Sequence, residues 1–218
     1  MKRVSSWIGL IAVMAAGLWA PRAGAGPSFG FEGGLSISGL SGGDTVFHDA
    51  RYGPSVGAYA EFEATPILSF QPELLFATKG GATSANSELF VPGSPFGGGG
   101  TATLQVSAIE IPLLLRASAD LGGNLRPSIV VGPAFSFELS EQLRVTGPRS
   151  GTTDSNSLKN SDIGLTTGIG LDLPRPSGFW RLDVRSNFGL TNVEEPTVGD
   201  NGIHNWNVVA MLGYGWKP

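Results

Sequence analysis

Hydrophobic and polar residues alternate along two stretches near the carboxyl-terminal end of the chain. In the first stretch, the odd positions carry apolar or threonine side chains: Ile163, Leu165, Thr167, Ile169, Leu171 and Leu173. The even positions carry small or acidic residues: Asp162, Gly164, Thr166, Gly168, Gly170 and Asp172. In the second, one parity carries Trp206, Val208, Ala210, Leu212, Tyr214 and Trp216, and the other includes Asn207, Gly213 and Gly215. A period of two fits a strand, because the apolar residues of a helix recur every three or four positions. The pattern therefore predicts two-faced β-strands and an all-β fold.

The same reasoning predicts eight strands separated by connections of alternating length. The strands lie near residues 29–39, 53–62, 68–79, 104–116, 125–139, 161–173, 178–190 and 205–216. Short connections fall at 63–67, 117–124 and 174–177, and long ones fall at 40–52, 80–103, 140–160 and 191–204. Loops longer than about 12 to 15 residues are uncommon in compact soluble domains, and short turns on one rim with long loops on the other are typical of outer-membrane barrels. We therefore predict an eight-stranded antiparallel up-and-down transmembrane β-barrel, with short periplasmic turns, long extracellular loops and both chain ends at the periplasm.

Ionisable residues fall on the parity opposite to the apolar one. This predicted inner set comprises Glu32, Glu61, Glu73, Lys79, Glu110, Arg116, Glu138, Asp162, Asp172, Arg181, Asp183 and Arg185. A soluble barrel that carries a ligand could not bury so many ionisable groups in an apolar cup. The lumen of an eight-stranded barrel is just wide enough to be filled by side chains. The mixed charges therefore predict a hydrogen-bonded ionic plug inside the barrel and an apolar face towards lipid.

Aromatic residues support this orientation. Trp206 and Trp216 share the outer face of the last predicted strand and are ten positions apart, and a tilted spanning strand needs about 9 to 11 residues. Lipid interfaces collect aromatic side chains in two girdles. The candidate girdle residues at the predicted periplasmic end are Phe29, Phe62 and Trp180. Those at the opposite end are Phe135, Phe137 and Phe188.

The amino-terminal residues have the features of an export signal. Lys2 and Arg3 precede an apolar run over residues 7–20, and Ala23 and Ala25 have the spacing that a signal peptidase reads. We predict a signal peptide at residues 1–25 that is removed during export, followed by one outer-membrane β-barrel domain at residues 26–218. A membrane anchor is the alternative, but the apolar run is shorter than the roughly 20 residues that a spanning helix needs.

Charge and cysteine content narrow the possible partners. The formal net charge of −4 falls to about −7 on that cleavage, which removes three of the 14 basic residues and none of the 18 acidic ones. Nucleic acid is therefore not an expected partner, because phosphate binding needs a basic surface. The chain has no cysteine, which excludes disulfides and thiolate metal sites.

Two groups of residues could carry chemistry. Glu73, Glu110 and Arg185 could act as acids and bases, but an ionic plug explains them equally well, and no nucleophile or histidine stands among them. His48 and His204 lie in predicted loops that barrel closure would bring together, so a rim site for a metal or a reaction is conceivable, although solvated loop residues are the simpler interpretation. We therefore assign no catalytic, cofactor-binding or metal-binding residue, and expect neither a cofactor nor enzymatic activity.

Four prolines fall within the predicted strands: Pro54, Pro72, Pro112 and Pro133. Each removes a donor from the hydrogen-bond ladder, and a closed barrel has no free edge at which this would be harmless. We expect bulges or strand ends at some of them.

Several segments together resemble a known family. They are "FQPELLFATKG" (70–80), "IEIPLLLR" (109–116), "GPAFSF" (132–137), "SDIGLTTGIGLDL" (161–173) and the terminal "LGYGW" (212–216). In this order they resemble the outer-membrane β-barrel family often labelled porin-like or PorT-like, over about residues 27–216. The resemblance implies an eight-stranded barrel in the outer membrane of a diderm bacterium. It also implies that the barrel-assembly machinery reads the last strand, which ends in Tyr214 and Trp216.

The expected function is an integral outer-membrane protein, monomeric and surrounded by lipid, with a structural or surface-contact role and a closed lumen. Three alternatives stay open at this point: a barrel that transports small solutes, a membrane-embedded enzyme with a rim site, and a soluble exported binding barrel.

Overall fold

The structure, a computed structural model, describes residues 26–41, 49–85, 100–122, 125–146, 151–154, 161–190 and 204–216. Over these ranges the chain forms nine β-strands. They are β1 (Ser28–Ser41), β2 (Asp49–Glu63), β3 (Leu68–Ala85), β4 (Gly100–Ser118), β5 (Arg126–Thr146), β6 (Gly151–Asp154), β7 (Ser161–Arg175), β8 (Gly178–Gly189) and β9 (His204–Trp216). Among the described residues there is no helix with the length and apolar character needed to cross a membrane.

Eight of these strands form one closed antiparallel barrel. Neighbouring strands follow the order β4, β3, β2, β1, β9, β8, β7, β5, and β4 also pairs with β5, which closes the ring. The first and last barrel strands pair with Phe29 opposite Trp216. The short β6 pairs with the outer end of β5, where Gln142 is opposite Asp154. The predicted eight-stranded barrel is thereby confirmed, with β6 as an addition beyond it.

Most strands are longer than the alternation predicted, and β2, β3, β4 and β5 extend furthest. β2 begins at Asp49, within the predicted loop 40–52. β3 and β4 pair as far as Ala85 and Gly100, and β5 continues to Thr146, so the predicted loops 80–103 and 140–160 are partly strand. The β4–β5 register shifts where Ala108 pairs with Glu138 and Ser107 pairs with Ser140. This bulge reverses the inward parity of β5, because one extra residue moves every following side chain to the other face. The predicted strand ended at residue 139 because the alternation of apolar and polar residues stops there.

The two faces of the wall have the predicted character. Large apolar side chains are exposed on the outside, for example Phe31 at 65%, Leu35 at 67% and Ile169 at 64%. Aromatic residues collect at both ends of the apolar belt. Phe31 and Trp216 have ring centroids 5.7 Å apart at the end that carries the chain termini, and Phe188 pairs with Trp206 at the other end. The belt between these girdles is what a lipid bilayer requires of a barrel surface.

The prolines are accommodated in two ways. The β2–β3 pairing passes from Ala50–Gly81 to Ser55–Ala77, so the four β2 residues that include Pro54 face three residues of β3. This is the expected bulge. The other three prolines pair in regular register with one neighbouring strand. The pairs are Pro72–Leu113, Pro112–Ala134 and Pro133–Leu165. A proline lacks only its own backbone N–H. The hydrogen bonds to the neighbouring strand on the other side of the proline can therefore remain intact.

Gly80 lies opposite the bulge in β2 and requires glycine for two reasons. Its φ of 137° is disfavoured for residues with a side chain. A Cβ atom there would lie 1.9 Å from the carbonyl oxygen of Leu104. The backbone on both sides of the bulge is held by Ser38, whose hydroxyl accepts a hydrogen bond from the Gly80 N–H at 3.1 Å.

Candidate functional site

The predicted inner residues line the lumen. Ten of the twelve are buried, namely Glu32, Glu61, Glu73, Lys79, Glu110, Arg116, Asp172, Arg181, Asp183 and Arg185. Glu138 and Asp162 face the same side but are only half-buried, because they stand near the outer rim. The inward orientation of the charged parity is therefore confirmed.

Arg181 on β8 contacts several partners in the half of the lumen nearer the chain termini. Its Nε and Nη2 donate to both carboxylate oxygens of Asp172 at 2.7 and 2.8 Å. Nη2 also donates to Glu61 Oε2 at 2.7 Å, and Nη1 donates to Gln71 Oε1 at 2.8 Å. The guanidinium carbon lies 4.9 Å from the ring centroid of Tyr59, a distance at which the ring attracts a cation. This arginine joins β8 to β2, β3 and β7.

Arg116 on β4 lies on the opposite side of the same glutamine. Its Nε donates to Gln71 Oε1 at 2.7 Å, and its Nη2 donates to Asp183 Oδ2 at 2.7 Å. Its Nη1 donates to the hydroxyl of Ser128 on β5. The side chain has no exposed surface, so every contact that it keeps is internal to the barrel.

Arg185 on β8 is surrounded by three carboxylates. Its Nη1 lies 2.6 Å from Glu73 Oε2, and its Nη2 lies 3.3 Å from Glu32 Oε2. Nη2 also pairs with Asp183 of the same strand. Since guanidinium groups can satisfy several acceptors in a fixed plane, one arginine pairs with acids from β1, β3 and β8.

We call the three arginines and their direct partners the luminal ion network: Arg116, Arg181, Arg185, Glu32, Glu61, Gln71, Glu73, Ser128, Asp172 and Asp183. It includes residues of every barrel strand except β9. β3 is four strands from β8 in either direction around the ring, so the bonds from Arg185 to Glu73 and from Arg181 to Gln71 cross the full width of the lumen. An ion pair between buried groups compensates the cost of removing charge from water only when such additional hydrogen bonds exist.

The three residues considered for acid and base chemistry do not form one site. Glu73 and Arg185 are in contact, but Glu110 pairs with Lys79 further along the lumen. All of these side chains are at most 6% exposed. The geometry is that of charge pairs that satisfy one another.

The rim site suggested by the two histidines lies outside the described residues. His48 is in an undescribed segment, and only the backbone of His204, opposite Ser41, is described. In the ranges that the structure covers, no group of three or more His, Asp or Glu residues is placed to hold a metal ion.

The uncharged hydrogen-bond partners of the charged lumen residues were not predicted from the sequence. Gln71 accepts hydrogen bonds from both Arg116 and Arg181, and Ser69 donates to Glu61 at 2.6 Å. Both residues have the same strand parity as Glu73. This shared parity is the sequence signal that places them on the inner face. Neither side chain carries a formal charge, so neither stands out among the ionisable residues of the inner face.

The end of the lumen that carries the chain termini opens into a cavity of about 260 Å³. It is lined by Glu61 and Asp172 of the network, together with Glu63, Arg126, Arg175 and Phe179. Arg126 closes part of its rim by donating to the carbonyl oxygen of Pro66 at 2.8 Å. The cavity therefore ends at the network, which separates it from the outer half of the lumen.

Comparison with known proteins agrees with this architecture. The chain matches a family model described as an outer membrane protein beta-barrel domain over residues 24–195. A search of curated proteins gave no significant match.

The chain is similar to several solved outer-membrane proteins at low sequence identity. The outer membrane protein OprG from Pseudomonas aeruginosa is similar with a TM-score of 0.53 and 14% identity, covering 89% of this chain and 97% of that chain. Neisserial surface protein A has a TM-score of 0.46 and 12% identity, covering 87% and 98%. A major outer membrane protein from Thermus thermophilus has a TM-score of 0.47 and 14% identity, covering 88% and 100%. The family model spans most of the chain, and the protein therefore belongs to the outer membrane protein β-barrel domain family and is an outer-membrane protein.

Proposed function

We propose that this protein is a closed, monomeric outer-membrane barrel with a structural or surface-contact role and without enzymatic activity. In this proposal residues 1–25 are a signal peptide that is cleaved on export, and lipid and the barrel-assembly machinery are its partners. Nucleic acid is not a partner.

The luminal ion network carries the proposal of a closed lumen. Its bonds cross the barrel from β8 to β3, and Arg116, Arg181 and Arg185 are at most 2% exposed. Eight strands leave an interior that side chains can fill. A solute would have to displace each guanidinium group from three partner residues, and that would leave buried charges unpaired.

Conductance in a planar lipid bilayer tests the closed lumen. We expect the purified, folded protein to insert without producing steady ion current, whereas a sixteen-stranded porin in the same bilayer conducts, because only the wider barrel leaves an aqueous channel. Insertion is verified independently by flotation of the protein with lipid vesicles. A stable, ohmic current from the inserted wild-type protein would contradict the proposal and favour the alternative of a barrel that transports small solutes.

The extended outer ends of the strands support the surface-contact role. β5 continues for nine residues beyond Phe137, and β6 pairs with this extension through residues 142–145. The extension is rich in polar and charged side chains, unlike the apolar belt below it. It therefore presents a folded platform on the side opposite to the chain ends.

Labelling of single cysteines on intact cells tests which end of the barrel faces outwards. The protein lacks native cysteine, so a membrane-impermeant maleimide can report one introduced position at a time. We expect labelling of Gln142→Cys on the strand extension, and no labelling of Asp120→Cys in the exposed turn between β4 and β5 until the cells are lysed. The reverse pattern would show that the extended ends face the periplasm and would exclude the surface-contact role.

A further inference from the structure

A second polar cluster lies in the outer half of the lumen, beyond the luminal ion network. It surrounds a cavity lined by Asp162, Asn187, Asn205 and Asn207, with Lys79 also at its wall. The free volume is about 10 Å³, which is room for a single water-sized occupant. None of these residues belongs to the luminal ion network.

Strand register brings the cluster together on one side of the wall. Asp162 on β7 is opposite Ser136 on β5. Thr166 on β7 is opposite Asn187 on β8, which in turn is opposite Asn207 on β9. Short oxygen-bearing side chains from four adjacent strands therefore point towards the same small space.

Two glycines keep that space open. A Cβ atom at Gly164 would lie 2.8 Å from Asn187 Oδ1, and one at Gly189 would lie 2.8 Å from Asp162 Oδ2. Both distances are shorter than real Cβ contacts. The absence of side chains at these positions thus leaves room for the amide and carboxylate oxygens to point into the cavity.

The amide oxygens at the cavity are acceptors that lack donors. Across the described part of the chain, no residue donates a hydrogen bond to Oδ1 of Asn187, Asn205 or Asn207, or to the neighbouring Oγ1 of Thr166. Asn207 is only 4% exposed. Leaving a buried acceptor unsatisfied is costly, and one water molecule can donate only two hydrogen bonds. A cation, in contrast, can be bound by all of these oxygens together.

The surrounding charge also favours a cation. Lys79 is already paired with Glu110. The carboxylate of Glu138 interacts electrostatically with Asp162 and Glu141 as well as with that lysine. Carboxylates from β5 and β7 therefore lie close together in the outer half of the lumen, beside the cavity.

We propose that this cavity is a binding site for a divalent cation of the Ca²⁺ type. Asp162 supplies the charged ligand, and the amide oxygens of Asn187, Asn205 and Asn207 supply neutral ones. Ca²⁺ accepts six to eight oxygen ligands in flexible geometry, including carboxylates and Asn carbonyls. The hydroxyl oxygens of Ser136, at the cavity wall, and of Thr166 can complete this irregular set. Mg²⁺, in contrast, demands near-ideal octahedral geometry and dehydrates reluctantly. The oxygen-only ligand set is also unsuited to zinc, which prefers sulfur and nitrogen.

Calorimetric titration with CaCl2 tests the site on the folded barrel after removal of metal with EDTA. We expect one saturable site per barrel, with a dissociation constant in the range of about 10⁻⁴ to 10⁻³ M that is usual for extracellular calcium modules. Asp162→Asn should weaken binding at least tenfold. The matched control is Asp49→Asn, an exposed carboxylate at the same end of the barrel, which should bind Ca²⁺ as the wild type does.

A second variant separates binding from folding. Asn207→Leu removes one oxygen ligand at similar volume, so the metal-free barrel should remain folded while the rise in melting temperature caused by Ca²⁺ disappears. The proposal is overturned if the wild type shows no saturable binding up to 10 mM CaCl2, an upper limit about tenfold above the weakest expected constant. Equal affinity of Asp162→Asn and the control would overturn it, as would equally strong binding of Mg²⁺ or Na⁺.

Discussion

Replacing Arg185 with methionine should destabilise the folded barrel by about 3 to 5 kcal/mol. The substitution keeps the length of the side chain but removes the positive charge that Glu32, Glu73 and Asp183 share. These carboxylates are each at most 1% exposed, so water cannot replace the lost partner. The free energy of unfolding in urea, measured in lipid vesicles, gives the effect directly.

Two further variants identify the cause. Arg144→Met removes an exposed arginine from the strand extension and should change the unfolding free energy by less than about 0.5 kcal/mol. Adding Glu73→Gln to Arg185→Met should restore part of the loss, because it removes one of the uncompensated charges. If Arg185→Met behaved like the Arg144 control, the network would be without energetic significance.

Replacing Val184 with arginine should cost about 2 to 4 kcal/mol. Val184 is the neighbour of Arg185 on the same strand, but it points out of the barrel and is 49% exposed. It lies midway along β8 between Trp180 and Phe188, which belong to the two aromatic girdles. A charge at this depth would face hydrocarbon, where it has neither water nor a partner. The same unfolding measurement in vesicles reports it.

The cost should depend on depth. Leu165 also faces outwards, but it pairs with Phe188, which is opposite Trp206, so it lies at the outer girdle. Leu165→Arg should therefore cost only about 0 to 1 kcal/mol, since the guanidinium can reach the lipid headgroups. Equal costs at Val184 and Leu165 would mean that the apolar belt is not centred between the girdles.

The fold could be predicted because membrane strands encode their two faces locally. Alternation along β7 and β9 specified which residues face lipid, and the structure has Ile169 and Leu212 outside and Asp172 and Asn207 inside. The rule failed where the register shifted. After the bulge at Leu139 the inward parity of β5 reverses, and a local pattern carries no information about which residue of a strand is left unpaired.

The candidate site was predictable in its composition but not in its connections. Charged residues of the inner parity were identified from the sequence. Their partners were not, because the bond from Arg185 to Glu73 joins residues 112 positions apart. The three asparagine oxygens of the second cluster were also missed, because uncharged side chains stand out only when they are found together without donors.

The amino-acid sequence by itself determined the class of fold, the number of barrel strands and, outside the register shift in β5, the face that the side chains of those strands present, because these follow from the two-residue period and from the solvent on either side of the wall. Only the tertiary structure decided which inner residues meet. Barrel closure sets β3 opposite β8, and contacts across the lumen depend on that closure and on strand register, which are properties of the whole ring.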